Sequence, residues 1–425
     1  MSTSADQQKP ESVSITPLLQ RLAYPATAQV EVSAGEIASA FALIFENRLS
    51  DIQAAALLTL LHSTGRDRDA EVIAKCSQRM RDAATSVDKA SLSQVIETRG
   101  RKEGNYYGGV CDIVGTGGDS HSTFNISTTS SIIASSLLLI AKHGNRAQTS
   151  LSGSADVLNA IEPVSPKISD IYAENLVRVY EKTNYAFLFA PNFHPGMKYA
   201  GTVRRALGLR TIFNLMGPLA NPVNWALEAR VVGVAYQSLG PVFVEALRQT
   251  GAKKALVVCG EEDMDEISCA GPTNCWELSE YDNPSYNDDC SSDEESNPKA
   301  LVKMQMFQIK PSDFGLPTHP LSEVYGRKYP KDNAAKLMSI LRNELPRDDP
   351  ILHFVLMNVA ALFVTSGVCE ADTSNMGPGD DGKVVTERGP GGRRWKEGLR
   401  RARWAIESGE ALKNFEKFIE VTNQF

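Results

Sequence analysis

The apolar and polar positions of this 425-residue chain fall into two textures. From Thr16 to about Thr98, apolar residues recur every three or four positions, the period of a helix with one buried face. Thr16-Pro17 reads as a cap followed by proline in the first helical position. "SAGEIASAFALIF" opens with Ser33 and Glu36 at capping-box spacing, where side chain and backbone N–H groups bond reciprocally. "SDIQAAALLTLLHSTG" repeats the device with Ser50 and Gln53, and Gly65 supplies a stop. "DAEVIAKCSQRMRDAA" adds another helix. These stripes need only a shared core and carry no chemical constellation. Residues 15–100 are therefore expected to form a small helical domain, preceded by a disordered stretch over 1–14.

After residue 100 the pattern changes. "VCDIV", "LLIAKHGNR", "YAFLFA", "EARVVGVAY" and "AKKALVVCG" read as buried strands. "SADVLNAI", "GTVRRAL" and "PVFVEALRQT" are helical segments between them, and "NAAKLMSIL", "DPILHFVLMNVAALFV", "RRWKEGLRRARWAIESG" and "ALKNFEKFIEV" follow. Strands alternating with helices predict an α/β domain with a mostly parallel central sheet over 101–425. Helices from about 190–215 are available to complete the helical domain. Two stretches read as loop insertions, 281–297 and 371–392. The first lies in a run from Glu277 to Glu295 with eight acidic residues and no basic one, and the second is rich in Gly, Asp and Pro. Both compositions predict mobile surface loops.

Composition narrows the classes. The net charge of -7 gives no global attraction to nucleic acid or to an anionic membrane. The seven cysteines are dispersed without a C-x-x-C pair, which predicts reduced thiols and argues against structural zinc. The first residues lack an apolar targeting core, and no apolar run is long enough to span a bilayer. A cytoplasmic protein is expected.

The chemistry concentrates in four places. "DIVGTGGDSHSTFNIST", residues 112–128, takes a strand into glycines and then a helix. Glycines let backbone N–H groups converge on phosphate oxygens, and the helix N-terminus adds its dipole. The loop is neither a P-loop nor a dinucleotide fingerprint, and by itself a tight turn without a ligand is an equal reading. "KHGNRAQTSLSGSADVL", Lys142 to Leu158, adds a lysine, a histidine, an arginine and hydroxyls before a second Gly/Ser loop. Two such loops imply a ligand with phosphate in more than one place. "RRALGLRTIFNLMGPLANP" carries Arg204, Arg205 and Arg210, suited to a planar carboxylate. Asp265-Glu266 lies just past a strand end, where paired hard oxygens beside phosphates suit Mg²⁺, although an acidic surface loop is the plainer reading of that pair alone.

Taken together and in this order, the motifs resemble the anthranilate phosphoribosyltransferase family, over nearly the whole chain. The resemblance implies a nucleoside phosphorylase/phosphoribosyltransferase-like fold, a homodimer and a stand-alone enzyme of L-tryptophan biosynthesis. It implies transfer of the phosphoribosyl group of 5-phosphoribosyl 1-diphosphate to the amine of anthranilate, with release of pyrophosphate and use of Mg²⁺. The implied diphosphate-substrate contacts are Gly115, Gly118, Asp119, Thr123, Asn125, Ile126, Ser127, Thr128, Lys142, His143, Gly144, Asn145, Arg146, Ser150 and Ser154. The implied anthranilate contacts are Gly115, Asn145 and Arg204, and the implied metal ligands Ser127, Asp265 and Glu266. No general acid or base is implied. Two departures stand out: "IEPVSP" after "ADVL", and Met264 where the family pattern has glycine.

Two other readings share the architecture. A pyrimidine nucleoside phosphorylase fits the "KHGNR" and "RTIFNLMGPLANP" blocks less well, and Asp265-Glu266 favours a diphosphate with a metal. A non-catalytic nucleic-acid-binding relative calls for a basic stripe, which the net charge disfavours.

Overall fold

The computed structural model describes residues 10–24, 31–147, 152–284 and 300–425. Ser150, most of the 1–14 stretch and most of the 281–297 insertion lie outside the described residues. The chain divides into two units, Met1–Ser86 with Ala190–Pro222, and Val87–Phe189 with Val223–Phe425.

In the helical unit the caps do what their spacing predicts. Ser33 Oγ accepts from Glu36 N at 3.2 Å while Glu36 Oε2 accepts from Ser33 N at 3.0 Å, so helix Ala34–Phe45 begins with both ends of the box closed. Ser50 Oγ accepts from Gln53 N at 3.3 Å ahead of helix Asp51–Ser63, but this box is only half closed, because Gln53 Oε1 accepts from Ile15 N at 3.2 Å instead. Gly65 takes φ +74, the left-handed conformation that ends this run. At the first helix the cap lies one residue earlier than expected: Thr16 is itself helical and Ile15 precedes it. The returning segment 190–222 fills the core. Phe213 packs on Phe41 with ring centroids 4.8 Å apart and on Phe45 at 6.1 Å, and Thr85 N donates to Phe193 O at 2.8 Å.

The larger unit is built on seven strands: β1 (Val110–Gly115), β2 (Leu139–Gly144), β3 (Tyr185–Phe189), β4 (Leu227–Gly233), β5 (Lys254–Gly260), β6 (Thr273–Asp282) and β7 (Ala300–Ile309). Their order is β3-β2-β1-β4-β5-β6-β7. The first five run parallel and are buried on both faces, so they read as continuous apolar runs. β6 and β7 are antiparallel and were not foreseen. Helix Lys89–Arg99, expected with the helical start, belongs to this unit. Its Arg99 bonds Glu181 O at 2.6 Å and Asn184 Oδ1 at 2.9 Å. Helix Pro350–Ser366 is buried at every position after its first, a helix apolar on all sides because it crosses the core.

The 371–392 stretch is not a free loop. Arg388 pairs with Glu370 at 2.6 Å, Arg400 with Asp380 at 3.0 Å, and Lys396 with Glu387 at 2.7 Å. Trp395 and Trp404 donate their indole N–H groups to Pro390 O and Pro378 O at 2.9 and 3.1 Å. These partners lie in or next to the stretch itself and in the helix that follows it, so it is their meeting in the fold, and not the Gly, Asp and Pro content, that pins the chain.

Candidate active site

The parallel strands β1 and β4 end side by side, with Gly115 opposite Gly233. Neither position has room for a side chain. A Cβ on Gly115 would lie 2.3 Å from Asp265 Oδ2, and one on Gly233 1.6 Å from Asp265 O. The carboxylate of the loop after β5 is thus set into a notch at the end of the sheet. Gly117 N donates to Asp265 Oδ2 at 2.6 Å. Gly117 and Gly118 take φ +64 and +84, the region where backbone N–H groups can turn towards an anion. Thr116 N donates to Gly233 O at 2.9 Å and Ala235 N to Thr116 Oγ1 at 3.2 Å, which ties the loop to β4.

Carboxylates crowd here. Burial, and next the Asp265 charge, push Asp119 up to about 8. Burial, then the charges of Asp265 and Asp119, hold Glu266 well above the usual carboxylate range. Thr123 Oγ1 donates to Glu266 Oε2 at 3.0 Å, and Asp119 Oδ2 is buried with no hydrogen-bond partner among the described residues. Near neutral pH such carboxyls keep their protons unless a cation offsets the repulsion. No group of three His, Cys, Asp or Glu forms a ready cage among the described residues. A hard cation such as Mg²⁺ takes one or two carboxylates from a protein and keeps waters and substrate oxygens, and Asp265 and Glu266 are oxygen donors of that kind. The six described cysteines are free and buried.

Lys142 is the nearby cation, but it faces inward. It is 2% exposed, and its Nζ donates to Ile113 O at 2.8 Å. Burial lowers its pKa, opposed by the charges of Asp112 and Asp265. Its reach is electrostatic, from beneath the loop. His143 is also buried. Gly144 has no space for a Cβ, which would meet the Phe187 ring at 2.6 Å.

The helix after the glycine loop, Ile126–Ala134, presents its first turn beside the second loop. Asn125 Nδ2 donates to Ser152 O at 2.9 Å, and the hydroxyls of Thr128 and Ser154 lie 2.8 Å apart. Ser127 is partly exposed on that turn. Ile126 is 1% exposed and its N–H already bonds Phe124 O at 2.6 Å, so its side chain belongs to the core. Asn145 and Arg146 are exposed, with Asn145 Oδ1 accepting from Arg146 N at 2.8 Å and the Arg146 guanidinium 5.7 Å over the Phe189 ring. Arg204 belongs to the helical unit. Its guanidinium lies 5.2 Å over Phe213, and burial lowers its pKa.

Some supports escaped the sequence reading. Asp156 Oδ2 accepts from Ala147 N and Gly153 N at 2.8 and 3.0 Å, closing the second loop. Its position three residues after Gly153, at the start of "SADVL", was the available signal. Phe124 N bonds Val324 O at 3.1 Å and Gly326 N bonds Ser122 O at 2.8 Å, so residues 324–326 brace the phosphate loop. Nothing local announces that pairing.

Comparison with known proteins gives one picture. Residues 108–412 match the model of the glycosyl transferase family a/b domain, and 16–84 that of its helical bundle domain. The anthranilate phosphoribosyltransferase of Schizosaccharomyces pombe is 34% identical over 387 residues, 91% of this chain and 92% of its own. The Saccharomyces cerevisiae anthranilate phosphoribosyltransferase structure in complex with PRPP and Mg superposes with a TM-score of 0.74 at 26% identity, covering 97% of this chain and 99% of that one. The same yeast enzyme in complex with 4-fluoroanthranilate gives 0.72 at 26% identity, with the same coverage. Among the described residues, no helix is long and apolar enough to cross a membrane.

Proposed function

This chain belongs to the anthranilate phosphoribosyltransferase family, and from that premise we propose how its residues serve the reaction. The activity is transfer of the 5-phosphoribosyl group from 5-phosphoribosyl 1-diphosphate to the amine of anthranilate, in L-tryptophan biosynthesis. The C1–O bond breaks and its electron pair leaves with pyrophosphate. The amine nitrogen donates its lone pair to C1, and a proton leaves the nitrogen. An aryl amine is neutral near pH 7, so the site needs alignment and charge stabilisation more than a strong base.

The observation that carries the assignment of roles is Asp265 seated between Gly115 and Gly233, with its Oδ2 on Gly117 N. It joins the phosphate-type loop and the carboxylate pair in one place. In this reading Gly115, Gly118, Asp119, Thr123, Asn125, Ser127, Thr128, Asn145, Arg146 and Ser154 line the diphosphate substrate. The backbone of Ile126 and Gly144 and the buried side chains of Lys142 and His143 support it from below. Asp265, Glu266 and Ser127 would hold Mg²⁺, and their crowded charge favours that role. Bound there with the substrate, the ion supplies counter-charge to the diphosphate. Gly115, Asn145 and Arg204 are the anthranilate contacts, with Arg204 on the carboxylate. A homodimer joined through the helical unit is part of the same reading, and it rests on the family alone.

The test is an assay of purified protein with anthranilate, 5-phosphoribosyl 1-diphosphate and Mg²⁺, following loss of anthranilate fluorescence. Turnover is expected. Consumption of thymidine or uridine with phosphate, with anthranilate untouched, would replace this reading with nucleoside phosphorolysis.

A further inference from the structure

Asn358 lies in the middle of helix Pro350–Ser366, in a run of apolar neighbours, and is 2% exposed. Its amide does not serve the helix alone. Oδ1 accepts from Ile267 N at 3.1 Å, and Nδ2 donates to Ile267 O at 3.3 Å and to Phe354 O at 3.0 Å. The side chain therefore grips both polar groups of the residue that follows Asp265-Glu266. Less than one turn earlier on the same helix, Val355 O accepts from Ser130 Oγ at 3.4 Å. Ser130 lies on helix Ile126–Ala134, one turn from Ser127. One buried helix thus holds the backbone behind the carboxylate pair and the helix that presents Ser127.

We infer that Asn358 is a positioning residue for the Asp265-Glu266 pair: it fixes where these carboxylates stand relative to Ser127 and so sets the affinity for the divalent cation that accompanies the diphosphate substrate. The inference rests on the proposed metal role of those residues. The physical need is specific. Carboxylates that repel one another will spread unless the backbone behind them is fixed. Two local ties, Gly260 N to Met264 O at 2.9 Å and Ser268 N to Thr273 Oγ1 at 2.9 Å, hold this loop to itself and to the neighbouring strands, and Gly117 N and Thr123 Oγ1 hold the two carboxylates to the glycine loop in front. Asn358 supplies the link to the core helix, and an amide is the side chain that can both donate to and accept from one peptide.

The experiment uses Asn358→Leu, with Thr365→Val as the control. Thr365 is buried on the same helix and its hydroxyl donates to Ala361 O at 2.7 Å, so its replacement tests helix stability without touching the loop. The readout is thermal stabilisation by 5-phosphoribosyl 1-diphosphate as Mg²⁺ is titrated, together with the stabilisation seen in EDTA. For Asn358→Leu, the Mg²⁺ concentration giving half the effect should rise about 10- to 100-fold, the usual cost of removing a group that orients metal ligands. The EDTA signal and the control should stay as in wild type. If Asn358→Leu does not fold, Asn358→Ser removes the same grip and leaves space for water. An unchanged Mg²⁺ midpoint in the folded variant, or an equal shift in Thr365→Val, overturns the inference. Failure of the wild-type protein to use anthranilate would instead overturn the functional reading.

Discussion

Two charged clusters in the α/β unit differ in their balance. Near the C-terminal helices, Arg401 and Glu397 are fully buried and joined at 2.7 Å. Arg401 also reaches Glu103 at 2.8 Å, Arg400 reaches Glu397 at 2.8 Å and Asp380 at 3.0 Å, and Arg101 pairs with Glu103. Three carboxylates face three guanidinium groups, so the cluster is balanced in charge as folded, although Arg401 Nη1 is buried without a hydrogen-bond partner among the described residues. At the ends of β1 and β5, Asp119, Asp265 and Glu266 stand together with one buried ammonium, Lys142, which also faces Asp112. The first arrangement stabilises structure. The second gathers carboxyls whose pKa values burial and mutual repulsion raise, the pattern that goes with the proposed metal role.

The contrast can be broken most forcefully at Arg401. Arg401→Met leaves Glu397 and Glu103 short of a partner in the interior, which should cost about 3–5 kcal/mol of stability. Denaturant unfolding would show it, while turnover per folded molecule stays near wild type. A loss of turnover without a loss of stability would mean that this cluster belongs to the site after all.

The carboxylate pair should behave in the opposite way. Asp265→Asn with Glu266→Gln keeps shape and relieves repulsion, so the protein should be at least as stable as wild type. Its kcat should fall by about a hundred- to a thousandfold, as when one preorganised electrostatic group is removed. Steady-state kinetics across a Mg²⁺ series should also show a higher requirement for the ion. Wild-type kinetics would reduce the pair to an acidic surface loop.

Arg204 stands in neither cluster and tests whether the anion chemistry includes the helical unit. Arg204→Ala should raise KM for anthranilate about ten- to a hundredfold, by loss of a charge-assisted contact, with a smaller change for the diphosphate substrate. Equal effects on both substrates would point to the packing of Arg204 on Phe213.

The smallest effect concerns pH. Burial alone would raise Asp380, but hydrogen bonds from Met376 N, Ser374 and Arg400 outweigh it and hold the group at about 2. A carboxyl depressed on folding contributes stability above its ordinary value near 4, and that contribution disappears as pH falls towards 2. Because the pairing is partly screened, the change should stay below about 1 kcal/mol. Acid unfolding of Asp380→Asn should therefore lack one increment of pH dependence between about 4 and 2. An unchanged profile would detach Asp380 from the balanced cluster.

What the sequence made legible follows from locality. Strands β1 to β5 are short apolar runs closed by glycine or polar turns, and the glycine loop marks a strand-to-helix turn whose phosphate reading comes only with the other motifs beside it. β6 and β7 were hidden because they lie at the sheet margin. β7 exposes Met304 and Met306, and the acidic stretch between the two strands masks their alternation. The pinning of 371–392 depends on Glu370, Arg400 and two tryptophans whose meeting only the fold determines. The direction of Lys142 was illegible for a related reason: its spacing along β2 cannot say whether it turns towards a ligand or towards the Ile113 carbonyl of β1. Asn358 sits among apolar neighbours of its helix with nothing local to announce its role, since its partner is 91 residues away.

The paired glycines at 115 and 233 have a consequence for how this site can drift over generations. Neither contributes a functional group, yet each keeps open the gap that Asp265 fills. A change at one cannot be compensated by a change at the other, because two strands and one loop converge on the same volume. In a saturation library selected for growth without tryptophan, these two positions should tolerate fewer replacements than most residues that touch substrate. Here an empty volume, rather than a side chain, is what inheritance has to preserve.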